Sequence, residues 1–158
     1  MRRERFYLRA RRDAAEMAPV RVNTFRSQGE RFESMGKRLA ECVDKKNWEN
    51  PSLWVDQRDH HKFASAMNVV DLNAPDAIAA CFTSAYGKSP VHAGSYLKSP
   101  EGNSLRRFSP REIGRLMGYR EEFWWPEAFT TRARYQLLGN ALSVTVVRSL
   151  LATMLDLR

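Results

Sequence analysis

Cysteine is scarce: the 158-residue chain holds only Cys42 and Cys81. No hydrophobic secretory segment precedes them, so no disulfide framework is needed and a reducing intracellular setting, cytoplasm and/or nucleus, is expected. Long hydrophobic runs are missing too. The longest stretch, Ala141 to Leu157, is interrupted by Ser143, Thr145, Arg148, Ser149 and Asp156, whereas a helical bilayer span needs about 20 predominantly apolar residues, so no membrane partner is expected. Metal-ligand spacing is equally absent. His60, His61 and His92 make no H-x-x-x-H pattern and the two cysteines no C-x-x-C pair. No metal site is expected, and the histidines read as surface or hydrogen-bonding residues. Internal repeats and low-complexity tracts do not occur.

What is present is an ordinary globular composition, 43% hydrophobic and 28% charged, at a length suited to one folded unit. Acidic residues are outnumbered by basic ones, 18 to 26, for a net charge of +8. An anionic partner follows, because Lys and Arg gain affinity for phosphates by releasing counterions. The basic residues crowd the start, where Arg2, Arg3, Arg5, Arg9, Arg11 and Arg12 face only Glu4. A mitochondrial transit peptide is the rival reading, set aside because Glu4, Asp13 and Glu16 are acidic and no cleavage pattern is evident.

Arg5-Phe6-Tyr7-Leu8-Arg9-Ala10 alternates apolar and polar faces, which predicts a half-buried strand. The chain is thus expected to open inside a structural element, with sequence missing upstream. From Gln28 to Asp44 the apolar positions Phe32, Met35, Leu39, Cys42 and Val43 recur at helical spacing and predict an amphipathic helix with Cys42 in the core. Residues 50–100 mix short apolar runs with aromatics, Pro, Ser and Gly. Ser84 to Asn103 holds most of the turn formers and reads as a long loop, a common carrier of function.

Ser109-Pro110-Arg111-Glu112 has the residues of a capping box with proline at the first helical position. It predicts a short helix to Met117 that Gly118 ends, with Ile113, Leu116 and Met117 on its apolar side. Leu137-Leu138-Gly139-Asn140 then leads into a final helix, where Leu142, Val146, Leu150 and Met154 repeat every four residues with Val147 and Leu151 beside them.

Three segments, in order, resemble conserved blocks of the cytosine-5 methyltransferases. Arg3-Glu4-Arg5-Phe6-Tyr7 is similar to the eighth block, Arg107-Phe108-Ser109-Pro110-Arg111-Glu112 with Leu116-Met117-Gly118-Tyr119 to the ninth, and Tyr135-Gln136-Leu137-Leu138-Gly139-Asn140-Ala141-Leu142 to the tenth. Between them, Cys81-Phe82-Thr83-Ser84-Ala85-Tyr86-Gly87 followed by Gly94-Ser95-Tyr96 resembles the signature of the tRNA-aspartate branch, the second class of DNA-methyltransferase homologues. Val69-Val70-Asp71 fits that branch as well. The resemblance implies tRNA as the substrate, with DNA the weaker alternative, and S-adenosylmethionine as the methyl donor.

Methylating cytosine at C5 requires a cysteine thiolate to add at C6 and an acid to support N3. In the family these groups lie in Pro-Cys and Glu-Asn-Val motifs, and the donor binds at a glycine-rich turn of a Rossmann-like sheet. This chain has no Pro-Cys dipeptide, Glu49-Asn50 is followed by Pro51, and the eight glycines never form G-x-G. Cys81 is not read as a substitute nucleophile, because the family's Cys-Phe-Thr cysteine belongs to the recognition region. Beside Ala79, Ala80 and Phe82 it reads as a buried small hydrophobe.

The resemblance further implies that Arg5 reaches the flipped target cytosine, where a guanidinium holds the ring oxygen and offsets developing charge, with Arg3 in support. It makes Cys81, Phe82, Thr83 and Tyr86 the substrate-binding segment. It also sets Asn140, Ala141 and Leu142 beside the cofactor, at the start of the last helix, with Ala141 replacing the usual serine. Arg107 and Arg111 read as pairing with phosphate or with Glu112 and Glu121. Phe123-Trp124-Trp125 reads as core, base stacking being the alternative.

The expected fold is therefore α/β, the C-terminal fragment of a Rossmann-like S-adenosylmethionine-dependent methyltransferase with a small target-recognition domain. Residues 1–12 supply a catalytic-domain strand, 13–105 the recognition region, and 106–158 the ninth and tenth blocks with the closing helix. Without the nucleophile the isolated chain is expected to be inactive. Three readings stay open: part of a longer tRNA methyltransferase, one chain of a split enzyme, or an RNA-binding remnant. The broad apolar face of the last helix predicts self-association.

Overall fold

The computed structural model describes residues 39–74 and 77–154, apart from the side chains of 149, 150 and 152–154. The expected strand around Arg5, and residues 28–38 of the expected first helix, lie outside the described residues. Among those described, a three-stranded sheet forms the centre, with β1 (Asn68–Val70), β2 (Ser95–Lys98) and β3 (Leu105–Arg107) in that spatial order. β1 and β2 run parallel, Asn68 opposite Ser95, whereas β2 and β3 are antiparallel, Tyr96 opposite Arg107. Parallel neighbours require a long crossover, and residues 71–94 provide it.

The reading of Ser84 to Asn103 as a loop is corrected by β2, which is the middle strand of the sheet. Ser95, Tyr96 and Leu97 are all buried, so the strand shows no alternation of apolar and polar residues, the pattern that marks a strand from sequence. The turn formers on either side shape the connections. Gly102, at φ +79°, tightens the 99–104 hairpin, where the Ser99 N–H donates to Ser104 O at 2.9 Å.

Helix α1 (Leu39–Cys42) keeps the expected core position of Cys42, and α2 (Gln57–Phe63) follows two 3-10 turns. Helix α3 (Pro110–Leu116) starts as its capping box dictates. The Glu112 N–H donates to Ser109 Oγ at 3.2 Å, and the Ser109 N–H donates to Glu112 Oε2 at 2.6 Å. Gly118, at φ +84°, ends it.

Two helices occupy the C-terminal part where one was expected. Helix α4 (Thr131–Asn140) is capped by the Thr130 hydroxyl and buries Tyr135 and Leu138. Helix α5 (Val144–Met154) begins after Leu142, so Leu142 lies outside the helical stripe assigned to it. Asn140 is the last residue of α4, not the start of a helix. Two buried positions between charged and polar neighbours are a weak amphipathic signal, which is why α4 escapes the periodicity. The start of α5 is tied to the end of α3, since the Val144 N–H donates to Met117 O at 2.8 Å. A Cβ on Gly118 would collide with Thr145.

Candidate functional site

The strand β3 and helix α3 meet at a buried ion pair. Arg106 and Glu112 have fully buried side chains, with Nη2 and Oε1 2.8 Å apart and Nη1 and Oε2 3.0 Å apart. The Asp44 N–H and the Ser109 N–H donate to the same carboxylate. The Arg106 guanidinium also stacks over the Trp48 ring at 4.4 Å. Burial alone would push the Glu112 carboxyl up. The Arg106 hydrogen bonds and charge, with the two amides, outweigh burial and hold it below the usual carboxylate range. The bidentate pair joins β3 to α3, and through the Asp44 N–H and the Trp48 ring it reaches a segment distant in sequence.

The expected pairing of Glu112 with Arg107 or Arg111 is therefore corrected, because Arg106 takes both carboxylate oxygens. Arg107 instead donates to Trp54 O at 3.1 Å. Arg111 reaches the Glu121 carboxylate at 3.5 Å and the carbonyls of Glu121 and Phe123. Arg115 shares Glu121.

The segment that resembles the tRNA branch lies across this core. Tyr86 is buried; its hydroxyl donates to Ser95 O at 2.6 Å and accepts from the Phe108 N–H at 2.9 Å. Its ring makes edge contacts with Phe82 and Tyr135 at centroid distances of 4.9 and 5.0 Å. Tyr135 donates to Phe108 O at 2.7 Å. Burial raises the Tyr86 and Tyr135 hydroxyls above the ordinary tyrosine range.

Thr83 is half-buried, its N–H donating to Ala93 O at 2.8 Å and its carbonyl accepting the Tyr86 N–H at 3.0 Å. Cys81 is exposed, which corrects its reading as a buried hydrophobe. Of residues 81–83 only Phe82 is buried. Of the four expected substrate contacts, Phe82 and Tyr86 stand in the core, while Cys81 and Thr83 reach solvent.

Helix α4 closes against this segment. A Cβ built on Gly139 would lie 2.5 Å from Thr83 O and closer still to the Thr83 carbonyl carbon and the Ser84 nitrogen. Asn140 follows at the exposed end of the helix, with Ala141 half-buried and Leu142 50% exposed. The Ala141 N–H donates to Leu138 O at 3.1 Å. The turn presents the Asn140 carboxamide and the Leu142 side chain at its exposed surface.

The aromatic run is also corrected. Trp124 is 70% exposed and Phe123 is exposed, while Trp125 alone of the three packs partly against the core. Arg3 and Arg5 lie outside the described residues. Arg106 had no distinguishing mark in the sequence beyond an arginine six positions before a capping glutamate. Among the described residues no cluster of His, Cys, Asp and Glu could hold a metal ion, and no helix is long and apolar enough to cross a membrane.

The sequence matches the family of C-5 cytosine-specific DNA methylases over residues 2–156. The chain belongs to that family. Membership implies S-adenosylmethionine as methyl donor. The human tRNA (cytosine(38)-C(5))-methyltransferase is 35% identical over 95 residues, covering 45% of this chain and 24% of the relative. The Dictyostelium discoideum DNA (cytosine-5)-methyltransferase is 31% identical over 138 residues, covering 75% of this chain and 36% of the relative.

Among solved structures, the Schizosaccharomyces pombe Dnmt2 methyltransferase superposes with a TM-score of 0.67 at 27% identity, over 76% of this chain and 42% of that one. The Entamoeba histolytica methyltransferase EhMeth shares the fold with a TM-score of 0.69 at 24% identity, over 76% of this chain and 41% of that one. The mixed α/β fold is thus that of the methyltransferase family, and the chain spans about a quarter to two fifths of the length of the relatives it matches.

Proposed function

We propose that this chain is the target-recognition and closing part of a tRNA cytosine-5 methyltransferase, acting in the cytoplasm and/or nucleus. The nucleophile, the acid at N3 and the glycine-rich donor turn come from sequence upstream or from a partner chain. The observation that carries the reading is the placement of Cys81 and Thr83. Both reach solvent, and Thr83 is held against the last turn of α4, one residue before Asn140. Nucleic acid meeting Cys81 and Thr83 would thereby lie next to the edge assigned to S-adenosylmethionine. In this reading Phe82 and Tyr86 shape the segment from inside, and Arg5 and Arg3 contact the target base.

The test assembles this chain with the catalytic half of a family relative and follows methyl transfer from labelled S-adenosylmethionine to tRNA and to duplex DNA. Methylation of tRNA by the assembly, and none by the chain alone, is expected. Methylation of DNA in preference to tRNA would shift the reading to the DNA enzymes, to which the Dictyostelium relative's name belongs. Salt-sensitive tRNA binding with no transfer in any assembly would leave an RNA-binding remnant, the second reading that the net charge of +8 favours.

Leu137, Leu142, Val144 and Leu151 are exposed on α4, α5 and the turn between them. Self-association of the isolated chain is part of the proposal. A monodisperse monomer by light scattering, with no dye-detected apolar surface, overturns that part.

A further inference from the structure

Gly139 stands where the recognition segment and the cofactor edge meet. Any side chain there would strike the Thr83 carbonyl and the Ser84 nitrogen, which are backbone atoms and cannot rotate away. Two more contacts fasten the same segments: the Tyr86 and Tyr135 rings meet edge to face at 5.0 Å, and a Cβ on Gly87 would lie 2.7 Å from the Tyr135 ring. Thr83 O accepts the Tyr86 N–H at 3.0 Å and Leu138 O accepts the Ala141 N–H at 3.1 Å. One hydrogen bond therefore lies on each side of the Gly139 contact.

We infer that Gly139 is a positioning residue: its missing side chain sets the spacing between the Thr83 recognition segment and the Asn140–Leu142 edge, and so the register of bound nucleic acid against the methyl donor. The inference rests on the tRNA methyltransferase reading for its functional half and on backbone geometry for its structural half. Seating Thr83 directly on helix backbone leaves no flexible side chain to absorb a shift, so the two segments move as one. A displacement of about 1 Å at a reacting centre costs on the order of a hundredfold in rate.

Two measurements test it. Native-state hydrogen exchange on the unmodified chain, followed over rising denaturant, is expected to show the Tyr86 and Ala141 amides opening together, because one rigid unit opens as a whole. Separate opening of the two overturns the inference without any variant having to fold. The second uses Gly139→Ala in the assembled enzyme, at a temperature where the folded fraction is unchanged. The turnover number is expected to fall on the order of a hundredfold with KM for tRNA unaltered.

Leu138→Ala, which empties the same core without pushing on Thr83, is expected to retain turnover at equal folded fraction. Equal loss in both variants, or a loss confined to KM, overturns the positioning role. If the unmodified assembly fails to methylate tRNA, the functional reading falls, and the exchange experiment still decides whether the two segments are coupled.

Discussion

The stretch from Leu105 to Ile113 and the stretch from Leu137 to Leu151 invert the usual distribution of side chains. In the first, an arginine and a glutamate are fully buried and paired with each other, with Arg106 Nε left without a hydrogen-bond partner. In the second, Leu137, Leu142, Val144 and Leu151 stand in solvent. Polarity alone would have misplaced both. A charge tolerates burial when its counter-charge and most of its hydrogen bonds are met inside, and an apolar chain stays exposed where no neighbour among the described residues covers it. The first region turns its charges inward, whereas the second carries apolar side chains on its surface.

The largest effect is expected from breaking the first region. Arg106→Met leaves the Glu112 carboxylate buried without its counter-charge and should cost about 3–5 kcal/mol in urea denaturation. Replacing both, as Arg106→Met with Glu112→Leu, should recover most of that loss. A neutral single variant would show that the pair does not hold β3 to α3.

The same carboxylate sets an acid limit. Its folded pKa is depressed, so its stabilisation is complete above the ordinary carboxylate value of about 4.3 and is lost as pH falls below that through the folded value. Glu112→Leu in the double variant should flatten the acid limb, as chemical denaturation at successive pH values would show.

Next in size is Tyr86→Phe. It strips a donor from Ser95 O and an acceptor from the Phe108 N–H, and buried groups left unpaired cost about 1–3 kcal/mol. An unchanged midpoint would mean that water replaces the hydroxyl and that the signature tyrosine is not a fold residue. Ser109→Ala removes the helix cap and should cost about 1 kcal/mol. Trp124→Ala, on the exposed side of the comparison, should change stability by less than about 0.5 kcal/mol. A loss several times larger would return the aromatic run to the core.

Much of this was legible where the cause is local. The capping box at Ser109 and the glycine stop at 118 depend on residues within a few positions of one another, and the structure has both. The order of the motif blocks pointed to the family for the same reason, since each block is a short contiguous pattern. Legibility failed where the cause is distant. Arg106 gives no sign of its partners, because Glu112, Trp48 and the Asp44 amide that shares the Glu112 carboxylate come together only when three elements pack. Strand β2 hides behind its own burial, and the inward reading of Cys81 fails because the core accepts its neighbour Phe82 instead.

The sequence by itself determined the family, the capped helix α3, the basic character and the absence of the nucleophile's motif, all carried by residue identity and short spacing. Only the tertiary structure decided which arginine is buried, that Cys81 is exposed and Thr83 half-buried while Phe82 and Tyr86 are buried, and that Gly139 brings α4 onto Thr83. Those outcomes depend on contacts between residues far apart in the chain, where packing and desolvation, not local preference, select the partner.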